Sequence, residues 1–320
     1  MAKSPGNGGP RNPGADPLDR TPLAALQEGL VVSHLGQGLA IENAAGEIVL
    51  CHTRRRLGNV AVGDRVLWEP MDGSQGRVEE LLPRRSLLTR PGHNAKIRPV
   101  AANLDRVLVV VAPTPEPDWL LVDQYLAACE HRGLAAAVVV NKIDRVENRA
   151  GVLSVLEDYR AIGYPCVTTS AKSGEGLEEL RALLAGQCAM LAGQSGVGKS
   201  SLTNALLPDK QLRTQALSEK AGLGRHTTTA ATLYHLPGGG DIIDSPGVAV
   251  FGLAEMTALD LASGYREFRH WLARCQFNDC RHTGDKGCAV REAAETGRIG
   301  MERYRRFVKL LDKLQLAGRL

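Results

Sequence analysis

The sequence predicts a chain of three parts: a small β-barrel of the OB type, a doubly wound α/β domain, and a small helical domain that holds a metal ion. Five short strand-like runs, separated by turn residues, lie between residues 30 and 80. Continuous apolar runs alternate with helical patterns from residue 107 to residue 244, as in a parallel sheet with crossover helices. Three cysteines and one histidine then cluster between residues 275 and 288.

The composition predicts several folded domains in a reducing compartment. The chain has 320 residues, of which 43% are hydrophobic, and a net charge of +4, a weak indication of a nucleic-acid partner. Residues 1–27 are rich in Gly, Pro and charge, and predict a disordered tail and no secretory signal. No run approaches the ~18 apolar residues of a membrane span, so no membrane partner is expected. The seven cysteines form no disulfide framework, which favours a cytoplasmic location.

The barrel is predicted over residues 28–98. A basic strip, Arg54-Arg55-Arg56, falls between its third and fourth strands, and OB barrels commonly bind single-stranded nucleic acid through basic loops. A solvated charged face is an equally favoured alternative, because residues 28–98 hold ten Lys or Arg against eight Asp or Glu. The strands are expected at 30–34, 39–42, 47–52, 64–68 and 76–80.

The α/β domain is predicted over residues 99–252. Its strands are expected at 107–111, 135–140, 165–169, 189–192, 231–236 and 241–244. Its helices are expected at 119–131, 152–162, 176–184 and 200–207. Strand–helix alternation of this kind builds a parallel sheet with helices on both faces.

A phosphate loop follows the apolar run 189–192. It fits the template G-x-x-x-x-G-K-[ST] at every fixed position, between a predicted strand and a predicted helix. Glycines let backbone N–H groups face phosphate oxygens, Lys199 is expected to reach the terminal phosphates, and the Ser200 hydroxyl is expected to hold Mg²⁺. The loop comprises Gly193, Gln194, Ser195, Gly196, Val197, Gly198, Lys199, Ser200 and Ser201.

Two motifs at strand ends predict that the bound base is guanine. Asn141-Lys142-Ile143-Asp144 matches the N-K-x-D motif, in which the carboxylate of Asp144 accepts hydrogen bonds from the ring N–H and the amino group of guanine. The stem of Lys142 can lie along the base, and Asn141 can tie the loop to its neighbours. Ser170-Ala171-Lys172 matches the S-A-K motif, where the backbone N–H of Ala171 is expected to donate to the guanine carbonyl oxygen.

A third motif predicts the metal side of the nucleotide site. Asp244-Ser245-Pro246-Gly247 has the D-x-P-G form, in which Asp244 supports Mg²⁺ and the Gly247 N–H meets the terminal phosphate. One of the threonines at positions 227–229 is expected to bind the same ion. We favour Thr228, although spacing alone leaves its two neighbours open.

The residue that positions the attacking water is not at its usual place. Val248 follows Gly247, where Ras-like enzymes carry a glutamine. His226, beside the threonines, is the nearest polar candidate for this catalytic role. The alternative is a loop histidine bonded to solvent. If His226 is catalytic, His226→Ala should lower turnover and leave GTP binding nearly intact.

The motifs occur in an unusual order. In most GTPases the phosphate loop comes first and the guanine motifs last, whereas here residues 141–144 and 170–172 precede residues 193–201. A sheet survives when its original ends are joined and the chain is opened at an exposed loop. The sequence therefore predicts a circularly permuted P-loop GTPase domain.

The helical domain is predicted over residues 253–320, with helical patterns at 261–273 and 304–316. Between them, the spacing C-x4-C-x-H-x5-C offers three sulfurs and one imidazole, a full tetrahedral set for one structural zinc ion. The surrounding residues are polar and loop-like, a poor setting for the alternative of core thiols. The predicted ligands are Cys275, Cys280, His282 and Cys288.

Taken together, these residues resemble one family, the circularly permuted GTPases called RsgA or YjeQ. The resemblance covers nearly the whole chain after the tail: barrel, N-K-I-D, S-A-K, G-Q-S-G-V-G-K-S-S, G-R-H-T-T-T, D-S-P-G and the cysteine cluster, in that order. It implies an N-terminal OB-fold barrel, a central permuted GTPase domain and a C-terminal zinc domain. It also implies a cytoplasmic factor in late small-subunit maturation. In this family the small ribosomal subunit stimulates GTP hydrolysis, the barrel and zinc domain bind ribosomal RNA, and the histidine matching His226 is proposed to be catalytic.

Two other functions stay open at this stage. One is a P-loop ATPase unrelated to ribosomes, against which Asp144 argues. The other is an RNA-binding scaffold that uses GTP only as a conformational latch. A turnover assay with and without small subunits distinguishes a scaffold from an enzyme. A monomer is the default expectation.

Overall fold

The computed structural model describes residues 26–35, 38–54, 57–71, 75–91, 97–145, 147–210, 231–245, 253 and 256–316. The first part is a closed five-stranded barrel, in which β1 pairs with both β2 and β4, and β3 pairs in parallel with β5. This is the strand order of an OB barrel, as predicted. Its strands are β1 (Gln27–Leu35), β2 (Gly38–Glu42), β3 (Ile48–Thr53), β4 (Arg65–Met71) and β5 (Gln75–Leu81).

The barrel interior is organised around Trp68, which is 3% exposed. Gly76 on the neighbouring strand leaves room for the indole, because a Cβ there would lie 2.6 Å from Trp68 and 2.7 Å from the Cys51 sulfur. Aliphatic side chains, among them Val31 and Ile41, fill the remaining volume. Apart from Trp68 and Cys51, aliphatic side chains therefore make up this core, as the low aromatic content of the chain requires.

A hairpin that the sequence analysis did not predict connects the barrel to the α/β domain. It consists of β6 (Leu87–Pro91) and β7 (Ile97–Ala102), and a bridge from Val62 to Ala101 holds it against the barrel. The predicted domain boundary between residues 98 and 99 falls within β7. The hairpin sequence is basic and has no regular alternation, so it gives little strand signal.

The central sheet has the order β10-β9-β8-β11-β13-β12, and its strands are parallel except for β12. The apolar runs are continuous because both faces are covered: Val107 and Val109 face one core, and Leu108 and Val110 face the other. The strands are β8 (Arg106–Val111), β9 (Ala135–Val140), β10 (Cys166–Thr168), β11 (Cys188–Ala192), β12 (Thr232–His235) and β13 (Asp241–Asp244).

Two pairs of helices cover this sheet. Leu126 and Leu156 bring α1 and α2 to one face, and Leu180 and Leu202 bring α3 and α4 to the other. The helices are α1 (Trp119–His131), α2 (Arg149–Ala161), α3 (Leu177–Leu184) and α4 (Lys199–Leu206). All four predicted helices and six predicted strands of this domain are confirmed within three residues at each end.

The C-terminal residues form mostly short helices, of which the first and the last pack on α1. The predicted helix 261–273 is wrong as a single element, because the chain turns at Gly264, where a Cβ would lie 2.9 Å from the backbone of Ala127. Because the chain turns where it contacts α1 closely, this segment forms several short helices and not one continuous helix. These are α5 (Ala258–Ser263), a 3₁₀ turn (Arg266–Phe268) and α6 (Arg269–Leu272), followed by α7 (Ala289–Glu295) and α8 (Met301–Leu316).

A buried ionic cluster joins α8 to α1. The Asp123 carboxylate accepts hydrogen bonds from Arg303 and Arg306, each at 2.5 Å, and from the Tyr159 hydroxyl at 2.6 Å. Arg303 also donates to Glu267 at 2.5 Å. The side chains of Asp123 and Arg303 are 0% and 4% exposed, so each charge depends on its partners for compensation.

Replacing Asp123 with Asn is expected to lower the free energy of unfolding by about 3–5 kcal/mol, because two guanidinium groups then share a buried site without their common anion. Urea unfolding followed by circular dichroism measures the change. Glu302→Gln is the matched control. It breaks the exposed pair with Arg305 and should cost at most about 1 kcal/mol. Equal losses in the two variants would contradict this account.

The barrel and the central sheet are also joined, because β1 pairs with β12 at Ser33 and Thr232. Beside this seam, His235 on β12 contacts Asp241 through Nδ1 and Glu42 of the barrel through Nε2, both at 2.6 Å. The hydrogen bonds to Asp241 and then Glu42 raise the pKa of His235 to about 10. The imidazolium therefore links two carboxylates from two parts of the molecule.

This bridge predicts a pH-dependent loss of stability. Because the folded pKa of His235 exceeds the unfolded value of 6.5, its contribution is complete below pH 6.5 and is lost as the pH rises to about 10. His235→Gln is expected to reduce stability at neutral pH by about 1 kcal/mol, a discounted figure because 41% of the side chain is exposed. Urea titrations of the wild type and the variant should converge near pH 10. The exposed His52→Gln serves as control, and a pH-independent difference would refute the assignment.

Among the described residues, no helix combines the length and apolar character needed to cross a membrane.

Candidate nucleotide site and metal centre

The predicted nucleotide motifs meet at one edge of the central sheet. The carboxyl ends of β10, β9, β8, β11 and β13 lie side by side there, because these strands are parallel neighbours. Residues 170–172 follow β10, residues 141–144 follow β9, the phosphate loop follows β11, and Asp244 ends β13. The structure therefore gathers loops that are dispersed, and permuted, along the chain.

The phosphate loop requires glycine at two of its turns. Gly193 has a φ of 141°, and a Cβ there would lie 2.2 Å from the Val110 carbonyl oxygen. Gly198, the residue before α4, has a φ of 93°, and a Cβ would lie 2.3 Å from the Asn141 amide nitrogen. Side chains are excluded at both positions by the neighbouring loops as well as by the backbone conformation.

The side chain of Lys199 lies across this loop. Its Nζ donates to the carbonyl oxygens of Gly193 and Gln194, both at 2.8 Å. Burial lowers the pKa of Lys199. Ser200 is exposed in the first turn of α4, so its hydroxyl is accessible at the helix N-terminus. The loop thus combines a cation, a helix N-terminus and a hydroxyl group, which suits a phosphate–metal ligand.

Gln194 fastens the phosphate loop to the segment after β8. Its Oε1 accepts from the Asp118 N–H at 2.7 Å, and its Nε2 donates to the Glu116 carbonyl at 2.9 Å. Within the same loop Val197 is fully buried, whereas Ser195 and Ser201 are exposed. The motif thus divides into residues that anchor the loop and residues that face outward.

The side chain of Asn141 connects the two predicted guanine motifs to the phosphate loop. Its Nδ2 donates to the Val197 carbonyl at 2.9 Å, and its Oδ1 accepts from the Ala171 N–H at 3.1 Å. Lys142 adds a second tie, from its Nζ to the Gly196 carbonyl at 2.6 Å. The Ala171 N–H, predicted to donate to guanine, is engaged by Asn141 in this structure, so the Lys172 N–H is the next candidate along the loop.

Asp144 is exposed and oriented by its neighbour. The Ser170 hydroxyl donates to Asp144 Oδ1 at 2.7 Å and itself accepts from the Ser173 N–H at 3.1 Å. The hydrogen bond from Ser170 lowers the pKa of the Asp144 carboxyl, which favours a full negative charge at neutral pH. A fixed carboxylate at this position can accept hydrogen bonds from two N–H groups of one ligand.

On the metal side, Asp244 carries a partner that the sequence analysis missed. The Lys210 Nζ lies 2.5 Å from its Oδ2 and 5.5 Å from the Tyr234 ring centroid. No motif singles out Lys210, which only the fold brings to this carboxylate. His226, Thr228 and Gly247 lie outside the described residues, so their predicted roles stay predictions.

The predicted metal ligands come together in the C-terminal domain. The ligand atoms of Cys275, Cys280, His282 and Cys288 all lie within 4.8 Å of one another. His282 Nδ1 is 3.5 Å from the Cys275 sulfur and 3.7 Å from the Cys288 sulfur. Bonds of about 2.1–2.3 Å around a tetrahedral ion give ligand separations of about 3.4–3.8 Å. This donor set could therefore hold a metal ion.

The local fold positions these ligands. Cys288 precedes α7, and its sulfur accepts from the Arg291 N–H at 3.3 Å. His282 has a φ of 62°, and the Tyr304 hydroxyl of α8 donates to its carbonyl at 2.8 Å. Burial lowers the pKa of His282, which favours the neutral imidazole that metals bind.

The basic residues of the barrel are mostly paired within the described residues. Arg84, for example, donates to the buried Asp64 carboxylate through two bonds of 2.7 Å. Such pairing supports the alternative that these side chains form a solvated charged face and do not bind nucleic acid. Arg55 and Arg56 lie outside the described residues. The paired residues are Arg54, Arg65, Arg77, Arg84 and Arg85.

Comparisons with known proteins agree with this architecture. Residues 81–254 match the family model for the RsgA GTPase. The chain is 44% identical over 303 residues to the small ribosomal subunit biogenesis GTPase RsgA of Azotobacter vinelandii, covering 93% of this chain and 88% of that protein. The crystal structure of YjeQ from Thermotoga maritima superposes with a TM-score of 0.74 at 35% identity, over 91% of this chain and 99% of that one. The structure of YloQ, described as a circularly permuted GTPase, supports the same fold, with a TM-score of 0.73 at 24% identity over 93% of this chain and 98% of its own. The chain therefore belongs to the RsgA GTPase family.

Proposed function

We propose that this protein hydrolyses GTP to GDP and phosphate, is stimulated by the small ribosomal subunit, and acts late in the maturation of that subunit. The observation that carries the proposal is the gathering of the phosphate loop, Asp144 and Asp244 at one sheet edge. The printed name of the Azotobacter relative supports the ribosomal part. The protein would work in the cytoplasm, where ribosomes mature, as a monomer.

In this proposal the base end of the site recognises guanine. The Asp144 carboxylate, held by Ser170, accepts from the two guanine N–H donors, and the Lys172 N–H donates to the guanine carbonyl. The stem of Lys142 lies along the base. Asn141 and Ala171 do not contact guanine in this proposal. The hydrogen bond between them holds the loops that bind the base in a fixed position relative to the phosphate loop.

The phosphate end uses backbone N–H groups of residues 193–201 and the Lys199 ammonium. Bound Mg²⁺ supplies charge neutralisation at the phosphates. Ser200, Asp244 and Thr228 are proposed to hold it, since hydroxyl and carboxylate oxygens are its usual ligands. Asp244 is paired with the Lys210 ammonium in this structure, so Mg²⁺ would displace that ammonium from the carboxylate or share the carboxylate with it. Gly247 is proposed to contact the terminal phosphate, and His226 to position the attacking water.

We also propose that the metal of the cysteine cluster is zinc. Three sulfurs and an imidazole that lie within 4.8 Å of one another match its preferred donors. Four protein ligands leave no open coordination position, so the ion is structural. We propose that the chain comprises a tail (1–27), the barrel (28–98), the GTPase domain (99–252) and the zinc domain (253–320). We also propose that the barrel and the zinc domain contact ribosomal RNA.

A turnover assay with and without purified small subunits tests the proposed function. We expect the subunits to raise the rate of GTP hydrolysis, and His226→Ala to lower turnover about 100-fold or more while GTP affinity stays nearly intact. Lys199→Ala serves as the binding-deficient control. A rate that does not respond to subunits would favour the RNA-binding scaffold, and equal affinity for ATP and GTP would favour an unrelated ATPase.

A further inference from the structure

A groove between α6 and α7 lies in the same domain as the metal cluster. It has a volume of about 290 Å³ and is lined by Trp271, Arg274, Glu292, Thr296 and Arg298, together with two alanines of α7. Ligand pockets in proteins begin at roughly 300 Å³. The groove is therefore suited to a single small unit, such as one nucleotide, and is too small for a duplex.

The two arginines of this groove are held by an aromatic ring. The guanidinium carbons of Arg274 and Arg298 lie 5.2 and 5.7 Å from the centroid of the Trp271 indole. Across the described part of the chain, no carboxylate lies within 4.0 Å of either guanidinium, whereas Arg291 and Arg305 of this domain both have a carboxylate partner. The charges of Arg274 and Arg298 are therefore available to an anionic ligand.

The charge distribution points to the same region. Residues 253–320 contain thirteen Lys or Arg and nine Asp or Glu, an excess of four, which equals the net charge of +4 of the whole chain. Most described arginines of both the barrel and the C-terminal domain are paired with carboxylates, and Arg274 and Arg298 differ from these in having no carboxylate partner among the described residues. The excess positive charge of the C-terminal domain is therefore expected to attract a polyanion, such as RNA, over a long range.

We propose that this groove binds one unpaired nucleotide of RNA. The base stacks against the Trp271 indole and the adjoining guanidinium plane, and a flanking phosphate is paired with the second arginine. The Glu292 carboxylate disfavours a bare phosphate in the groove but can accept from an exocyclic amino group. Bases that carry such a group are therefore preferred to uracil. The inference rests on the proposed function, because it names the RNA contact by which the zinc domain engages the small subunit.

The groove is tested with full-length variants and purified small subunits. Base–aromatic stacking is worth about 1–3 kcal/mol per base, so Trp271→Ala and the double variant Arg274→Gln/Arg298→Gln should each weaken subunit binding roughly 5- to 150-fold. Trp271→Phe should retain most of the affinity, because a stacking ring remains. The control Arg305→Gln/Lys309→Gln removes two positive charges, as the double variant does, from exposed positions outside the groove, and should leave affinity within about twofold. Melting temperature and metal content establish that each variant is folded.

Photo-crosslinking identifies what occupies the groove. Irradiation of the wild-type complex at 254 nm should attach a nucleotide to the tryptic peptide His270–Arg274, and pentacytidylate should compete better than pentauridylate. Attachment of that peptide to a ribosomal protein, or equal subunit affinity in all folded variants, would overturn the inference and leave the proposed function standing. Wild-type protein that neither binds small subunits nor responds to them would instead refute the proposed function.

Discussion

Replacing Cys288 with Ser is expected to remove the proposed zinc ion and to unfold the segment around the cysteine cluster. Structural zinc contributes about 10–16 kcal/mol of apparent binding free energy in zinc-finger peptides, and this binding free energy is also folding free energy. Cys288 is also the N-cap residue of α7, and its sulfur accepts a hydrogen bond from the Arg291 N–H, so its replacement affects both the metal site and the start of the helix. Elemental analysis should give less than one ion per chain, and hydrogen exchange should show lost protection over α7, residues 289–295.

Cys166→Ser provides the matched control for this prediction. Its sulfur lies in strand β10, away from the cluster, and donates to the Tyr164 carbonyl at 3.3 Å, a contact that a serine hydroxyl can keep. The control should retain one ion per chain and the wild-type exchange pattern. A Cys288→Ser protein with full metal content and unchanged protection would show that the cluster does not depend on this sulfur.

Replacing Asp144 with Asn is expected to lower GDP affinity at least about 100-fold, since the amide turns one of its acceptors into a donor facing the guanine N–H groups. The Ser170 hydrogen bond keeps the wild-type carboxyl ionised at neutral pH, so the variant loses a charge as well as an acceptor. ATP affinity, which does not use this carboxylate, should change little. Equilibrium titration with fluorescent GDP and ATP analogues measures both quantities.

Two companion variants make the assignment specific. Asp158→Asn changes another exposed carboxylate of this domain, on α2, and should leave GDP affinity unaltered. Ser170→Ala should weaken GDP binding less than Asp144→Asn, because it frees the carboxylate to rotate without removing it. Should Asp144→Asn bind GDP as tightly as the wild type, the base is bound elsewhere and the proposed guanine site is wrong.

The elements that the sequence predicted well are those with a local signal. Helix 119–131 and strand 135–140 have the predicted bounds, because an uninterrupted apolar run and a helical repeat between turn residues need no distant partner to be recognised. The phosphate loop was recognisable for the same reason, since its glycines and its lysine are close in sequence. The β6–β7 hairpin and α7 lack such a pattern and were not predicted.

The contacts that organise the site could not be predicted, because they join residues far apart in the chain. Asn141 and Val197 are separated by 56 residues, Arg303 and Asp123 by 180, and His235 and Glu42 by 193. The pairing of Lys210 with Asp244 and the engagement of the Ala171 N–H by Asn141 likewise arise only after folding.

The sequence by itself determined the three-part architecture, the nucleotide motifs with their permuted order, and the four-residue cluster that could hold a metal ion, because each of these depends on short stretches of fixed spacing. Only the tertiary structure decided that β1 of the barrel pairs with β12 of the central sheet, that Asp144 is oriented by Ser170, and that Trp271 contacts two arginines that have no carboxylate partner among the described residues. The physical reason is that hydrogen bonds and ion pairs depend on distances of a few ångströms, which chain topology sets and residue spacing does not.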